Sequence, residues 1–251
     1  MKKLIYIILL SYSVNCYSQS FELEYKIDFQ RKLSEKLTEE FKANKSGDLA
    51  RAEIFTYENP KAEFYTLKFN NEFSELTYIE ALNNNQEKSH LQVSNFPLGK
   101  KNYRKINDTL IYNEHKINNQ TLFSADTLIC KYWNKTGKDS IILDLKVSQI
   151  KLENSAAKIT AWFTEELPAG MGVYNLSFKD GFILAFEIDY FPNDAFKKNI
   201  IKVYPYKMKN IKRKKKQSLK FPSIDKIYTL EEIKEKYKEK NKIINQPQHT
   251  E

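Results

Sequence analysis

The chain has 251 residues, 41% of them hydrophobic, with 16 Tyr and 16 Phe but only 6 Gly, 3 His and 2 Cys, and a formal net charge of +9. That length suits one domain of roughly 200 residues with extensions, able to bury about 70% of its unfolded surface without staples. The composition excludes collagen-like, disulfide-scaffold, wholly disordered and polytopic membrane classes, and so few glycines and histidines disfavour phosphate-cradling loops and histidine-rich metal centres.

Met1, Lys2 and Lys3 precede an unbroken apolar run over residues 4–10, which tapers through Ser11 and Ser13. The run is too short to span a bilayer, which takes ~20 apolar residues, and it reads as a secretory signal. Cys16-Tyr17-Ser18 places small residues where signal peptidase reads them, so the expected cut lies between Ser18 and Gln19, giving a signal peptide over 1–18. The rival is lipoprotein processing at Cys16, for which Asn15 is a poor neighbour. The expected destination is periplasmic or secreted.

Phe21, Leu23, Tyr25, Ile27 and Phe29 alternate with Glu22, Glu24, Lys26 and Asp28, the period of a half-buried strand. Leu33, Leu37 and Phe41 follow at helical spacing and predict a short surface helix over 32–43, with Gly47 as its stop. Strands are expected from there to residue 204. Short runs rich in Tyr, Phe, Ile and Thr occupy 53–57, 63–69, 75–82, 89–96, 109–113 and 127–133, separated by polar connectors. Between 141 and 152 the apolar parity switches from Ile141, Leu143, Leu145 and Val147 to Ile150 and Leu152, predicting a bulge or bend near Ser148. Ala157, Ile159, Ala161 and Phe163 share one side of the next strand, and 182–191 is apolar enough for a central one. Strands in succession without alternating helices argue for an antiparallel sheet. The expected fold is mainly β (α+β): one curved sheet, half-barrel or bowl-like, over 19–205, with one or two short peripheral helices.

Between Lys197 and Lys220 lie 11 Lys and Arg and no acid, leaving 30 basic against 32 acidic residues elsewhere. The run centres on Lys212, Arg213, Lys214, Lys215 and Lys216, and residues 206–251 read as a basic linker with a short C-terminal helix. Such a run suits a self-repelling linker or contact with an acidic envelope protein, a glycan or an anionic surface. Nucleic acid is not an expected partner of an exported chain. Thr229-Leu230-Glu231-Glu232 matches a capping box, and Leu230, Ile233 and Tyr237 form a stripe that either docks on the domain or meets a partner.

Little chemistry announces itself. Glu165 and Glu166 are neighbours, so in an extended chain they point to opposite faces. His90, His115 and His249 are far apart, with no metal-ligand spacing; no metal and no cofactor are expected. Cys130, in a β-like run, reads as a small buried hydrophobe. No catalytic residue is assigned, although a triad assembled only in space leaves no local trace. Asp108-Thr109-Leu110, Asp126-Thr127-Leu128 and Asp139-Ser140-Ile141 resemble the acceptor pattern of Bacteroidota-type O-glycosylation, which makes Thr109, Thr127 and Ser140 candidate modification sites; the same pairs also favour turns.

The most distinctive stretch runs from Lys158 to Pro168 through Ala161-Trp162-Phe163-Thr164, then through Gly170-Met171-Gly172-Val173-Tyr174 and Lys179-Asp180-Gly181-Phe182-Ile183. It resembles the GLPGLI family of exported Bacteroidota-type proteins. Ala161, Trp162, Phe163 and Thr164 stand for its Ala-Trp-Tyr-Thr strand, Pro168 for its Ile-Pro step and Gly172 for its Gly-Pro turn. Gly181 and Ile183 are what is kept of the naming hexapeptide, as in a divergent member. The likeness spans roughly 21–205 and is specific over 158–187. It implies a β-rich exported domain of unknown biochemical role, similar in outline to bowl-like accessory domains of secreted glycan-processing enzymes. Physically, Pro168 ends a strand, Gly170 and Gly172 suit positive φ, and Asp180-Gly181 is a hairpin-type turn signal. Trp162 and Tyr174 are candidate ligand contacts, with packing as the alternative for Trp162. The leading expectation is a non-catalytic binding or accessory module of the cell envelope, with a concavity for glycan, lipid or peptide. The alternatives are a secreted or periplasmic hydrolase whose site forms only in space, and a scaffold whose tail is the active part. Convergent carboxylates in a cavity would favour the enzyme, an apolar cavity the carrier and a filled interior the scaffold.

Overall fold

The computed structural model describes residues 20–79, 101–106, 108–117, 120–128, 132–173, 175–211 and 219–244. The strands are β1 Ser20–Leu33, β2 Glu63–Phe69, β3 Phe73–Ile79, β4 Lys101–Lys105, β5 Leu110–Ile117, β6 Gln120–Thr127, β7 Asn134–Ile142, β8 Leu145–Glu153, β9 Ala157–Thr164, β10 Phe182–Tyr190 and β11 Phe196–Ile211. The helices are α1 Glu35–Asn44, α2 Gly47–Glu58 and α3 Leu230–Ile244. All eleven strands form one antiparallel sheet in the order β6-β5-β4-β3-β2-β1-β11-β10-β9-β8-β7. The first and last strands are therefore the central pair, a meander extends from each side, and β6 and β7 are the edges of an unclosed sheet.

The alternation in β1 explains its central place. Leu23, Tyr25 and Ile27 are fully buried, while the intervening charges meet the lysines of β11. Lys209 reaches both Glu22 and Glu24, at 3.1 and 2.7 Å, and Lys202 lies 3.0 Å from Glu187 of β10. The basic stretch 197–220 therefore begins as strand, its lysines answered across the sheet, and β11 continues to Ile211, six residues past the domain end expected at 205. Lys212, Arg213, Lys214, Lys215 and Lys216 lie outside the described residues.

The sheet is deeply curved. Phe69 of β2 and Phe182 of β10 have ring centroids 4.9 Å apart, although β1 and β11 lie between their strands. A flat sheet would hold them roughly 14 Å apart at the usual strand spacing. The inner side carries the main core, from Leu23, Leu67 and Phe69 across to Ile150, Ala161 and Phe182.

Several local expectations need correction. The described residues hold three helices instead of one or two: Gly47 opens α2 where a stop was expected, and the strand expected at 53–57 is part of that helix. Ala50 is buried, Tyr57 meets Phe41 of α1 at 5.4 Å, and Glu58 accepts the Leu33 N–H at 3.0 Å. Packing onto α1 and β1 overrides the β propensity of Ile54-Phe55-Thr56-Tyr57. The run 141–152 is cut by a turn at Leu143 and Asp144, both at positive φ. The irregularity expected near Ser148 sits in the partner strand: between Lys135 and Asp139 the register shifts opposite Ile150 and Ser148. Strand β6 ends where the run expected at 127–133 begins. The run at 89–96 lies outside the described residues. Among the described residues no helix is long and apolar enough to cross a membrane.

Candidate functional site

The inner face changes character along the sheet. Beyond β2 it carries buried polar side chains: Ser74, Asn102, Arg104, Asn113 and Ser124 are each at most 4% exposed. Pairing aligns them, with Ser74 opposite Arg104, Asn102 opposite Asn113, and Asn113 opposite Ser124. His115 and Asp126, half-buried, continue the same face. Burying these groups is tolerable because most of them find hydrogen-bond partners, several within the ladder itself. Asn102 Nδ2 donates to Asn113 Oδ1 at 2.8 Å, Asn113 Nδ2 to Asp126 Oδ2 at 2.6 Å, and His115 Nε2 lies 2.9 Å from Ser124 Oγ. Burial lowers the His115 pKa, with the Asp126 charge acting the other way.

Arg104 ties this ladder to the segment 165–181. Its guanidinium donates to the carbonyls of Leu176, at 3.2 Å, and Gly170, and to Ser177 Oγ at 2.9 Å. Trp133 Nε1 donates to Ser177 O at 2.8 Å from the other side. So held, the segment puts Leu167, Met171, Val173, Leu176 and Phe178 into the bowl, all buried. Among the described residues the best-formed cavity left is about 20 Å³, lined by Leu67, Ser74, Leu76, Asn102, Ile111 and Gly172 among others. That is about the room of one water, and Asn102 Oδ1 is buried there without a partner.

The glycines of this segment do three different things. Gly170 has φ +74°, as expected. Gly172 is not at positive φ; a Cβ there would lie 3.1 Å from both Ile183 Cβ and Ile183 O, so close approach selects it. Gly181 closes a turn whose centre is Lys179-Asp180, its N–H reaching Phe178 O at 3.3 Å. A Cβ on it would meet Phe163 Cδ2 at 2.5 Å and Thr164 O at 2.8 Å.

Ala161, Phe163, Thr164 and Ile183 are buried and Pro168 half-buried, so these motif positions serve packing. Trp162 is half-buried on the opposite parity, paired with Gln149 and Ala185, and packs against the core. Tyr174 and Cys130 lie outside the described residues. Thr109, Thr127 and Ser140 are exposed, on the surface where a glycan has room. Glu165 and Glu166 are exposed, and Glu166 accepts the Lys146 N–H at 2.9 Å. Among the described residues no three His, Cys, Asp or Glu could hold a metal.

The ladder escaped the sequence reading. Its only signal is polar residues at alternate positions, and their common face appears once β4, β5 and β6 are in register. Chemically, the Ser124–His115 pair is at nucleophile–base distance, but Asp126 is engaged by Asn113 and Ser124 is only 1% exposed.

No known family profile and no curated protein matches the chain. Among solved structures it is similar to two of PNGF-II, in C2 and P21 space groups, with TM-scores of 0.47 and 0.46 at 15% and 16% identity. Each match covers 78% of this chain but only 28% and 29% of the other. The chain thus spans under a third of the length of those proteins.

Proposed function

We propose that the chain is an exported, non-catalytic accessory module of the cell envelope, a divergent GLPGLI-type protein that works through its rim, outer surface and tail. The observation that carries this reading is the filled bowl. Segment 165–181, pinned by Arg104, buries its apolar side chains in the bowl, and the best-formed cavity among the described residues, about 20 Å³, is far too small for a glycan or lipid, which supports a scaffold over a carrier. Its partner is an acidic envelope protein, glycan or anionic surface, met by Lys212 to Lys216, and glycans sit on the exposed Thr109, Thr127 or Ser140.

Affinity purification of the tagged mature protein from its native envelope, with proteins and small molecules both identified by mass spectrometry, tests this. A stoichiometric macromolecular partner, lost when Lys212, Arg213, Lys214, Lys215 and Lys216 become Gln, is expected. A retained small molecule without such a partner overturns the reading. Native mass equal to the bare mature polypeptide removes the glycans.

The Ser124–His115 contact favours a second reading, a serine hydrolase whose buried Ser124 is reached through a local opening. Labelling of Ser124 by a fluorophosphonate, abolished in His115→Gln, would establish it; no labelling in native extract would dismiss it.

A further inference from the structure

The described part of the C-terminal segment wraps the β6 edge, touching both faces of the sheet. On the outer face Phe221 inserts its ring among Phe73, Tyr103 and Tyr112, with centroids at 5.9, 6.1 and 5.7 Å, and Lys105 Nζ sits 4.5 Å from its centre. At the edge, Ile227 forms a parallel bridge to Phe123, and the Tyr228 N–H donates to Phe123 O at 2.8 Å. Thr229 then caps α3: its Oγ1 accepts the Glu232 N–H at 3.1 Å, and Glu232 accepts the Thr229 N–H at 2.7 Å. The helix turns Ile233, 3% exposed, onto Ile117 and Leu122. Those two residues share the parity of Asn113 and Ser124, the inner face.

Such an arrangement is that of a peptide ligand on its receptor. An aromatic anchor, one added backbone bridge and an apolar helical anchor follow each other in 13 consecutive residues, 221–233. Strand addition with alternate side-chain pockets is a general mode of peptide recognition. The rest of α3 is lightly held, with Leu230 47% and Tyr237 39% exposed. The segment is joined to β11 only through residues 212–218.

We propose that the β6 edge, with the outer face of β3–β5 and the inner-face residues Ile117 and Leu122 beside it, is a peptide-binding surface, filled in cis by residues 219–233, and that its trans ligand is the same segment of a second copy. The surface is seen holding this sequence, and a second copy offers the identical Phe221, Ile227 and Ile233. Exchange keeps every contact while changing only which chain supplies it, the low-cost route to a swapped dimer. This inference is independent of the envelope partner proposed above.

The test uses the full chain with a site-specific protease site in place of Lys212–Lys216. After cleavage, a fluorescent peptide of residues 219–244 should displace the severed tail and bind saturably by anisotropy. Phe221→Ala or Ile233→Asp in the peptide should weaken binding at least ~10-fold, as expected for anchors in desolvated pockets. Intact chain, concentrated with a differently tagged intact copy, should yield a mixed dimer by co-purification and light scattering. A severed tail that never exchanges, a cleaved domain that unfolds or refuses the peptide, or substituted peptides that bind as well as the parent would overturn the peptide surface. Peptide binding without any mixed dimer would overturn the second copy as its ligand.

Discussion

Replacing Arg104 by Met tests whether segment 165–181 is held in the bowl by its hydrogen bonds or merely by its apolar side chains. The substitution keeps an unbranched side chain of comparable length but removes donors to three acceptors, Leu176 O, Gly170 O and Ser177 Oγ. The acceptors do not suffer equally. Gly170 O keeps the Ser177 hydroxyl at 3.2 Å, the bond that also keeps Ser177 Oγ engaged as a donor, whereas Leu176 O loses the Arg104 donor on a buried residue. Hydrogen bonds from charged groups contribute about 1.5–3 kcal/mol each, and a stranded buried acceptor costs about 1–3 kcal/mol. Relief of the guanidinium desolvation offsets part of this, leaving an expected loss of about 2–3 kcal/mol. For a domain of this size that is a fall in Tm of about 5–10 °C.

Two assays separate the causes. Denaturant titration gives the total loss, and hydrogen exchange localises it. The Gly170 N–H, bonded to Phe178 O at 3.0 Å, and the Ile183 N–H, bonded to Met171 O at 3.0 Å, should exchange faster in Arg104→Met. Amides of the β1–β11 centre should follow only the global change. An unchanged Tm with unchanged protection at Gly170 and Ile183 would show that apolar packing alone seats the segment.

Gly181→Ala should cost about 1–3 kcal/mol, because its Cβ would press on Thr164 O, which is backbone and cannot rotate away; a denaturation midpoint equal to the parent's would refute this. Tyr25→Phe should raise stability by about 1 kcal/mol, since the Tyr25 hydroxyl is buried without a partner and its removal spares that desolvation; thermal unfolding checks it. His115 carries a pKa lowered by burial from the ordinary 6.5, so below that value the unfolded chain binds protons that the folded chain refuses. Its contribution is complete above about pH 6.5 and is lost as pH falls through the lower folded value. Urea midpoints across roughly pH 5–8 should therefore slope downward on the acid side, and the slope should shrink in His115→Gln.

How much of this was legible in the sequence follows from how local each signal is. The β1 alternation, the parity of Ala157, Ile159, Ala161 and Phe163, the apolar 182–190 and the Thr229–Glu232 cap are local, and the structure has all of them. The α2 helix was missed because Ile54-Phe55-Thr56-Tyr57 has strand propensity and only contacts with α1 and β1 decide otherwise. Lys207 and Lys209 fell in the expected tail because their partners, Glu24 and Glu22, are remote in sequence. The polar ladder was invisible for the same reason. Asn102, Asn113 and Ser124 gain meaning only from register, and Arg104 meets Leu176 across 72 positions.

The order of the sheet gives these pieces a common cause. The central strands β1 and β11 are the first and last of the described strands and also the longest of them, at 14 and 16 residues. Until β11 is in place, β1 and β10 are both open edges, so the core between Phe69 and Phe182 cannot close. Pairing the ends of a chain demands loop closure before any contact repays it, which makes the central contact the slow one. Once made, it moves the exposed edges out to β6 and β7, and the chain treats those differently. Strand β7 carries Lys135, Lys138 and a register shift with Gly137 at φ +73°, the features that discourage strand addition. Strand β6 lacks a lysine along its length and is covered instead by Phe221, Ile227 and Ile233. An edge that is covered keeps its capacity to pair, whereas one that is twisted and charged gives it up. The tail therefore protects that edge of the described sheet at which exchange of a pairing segment remains structurally available.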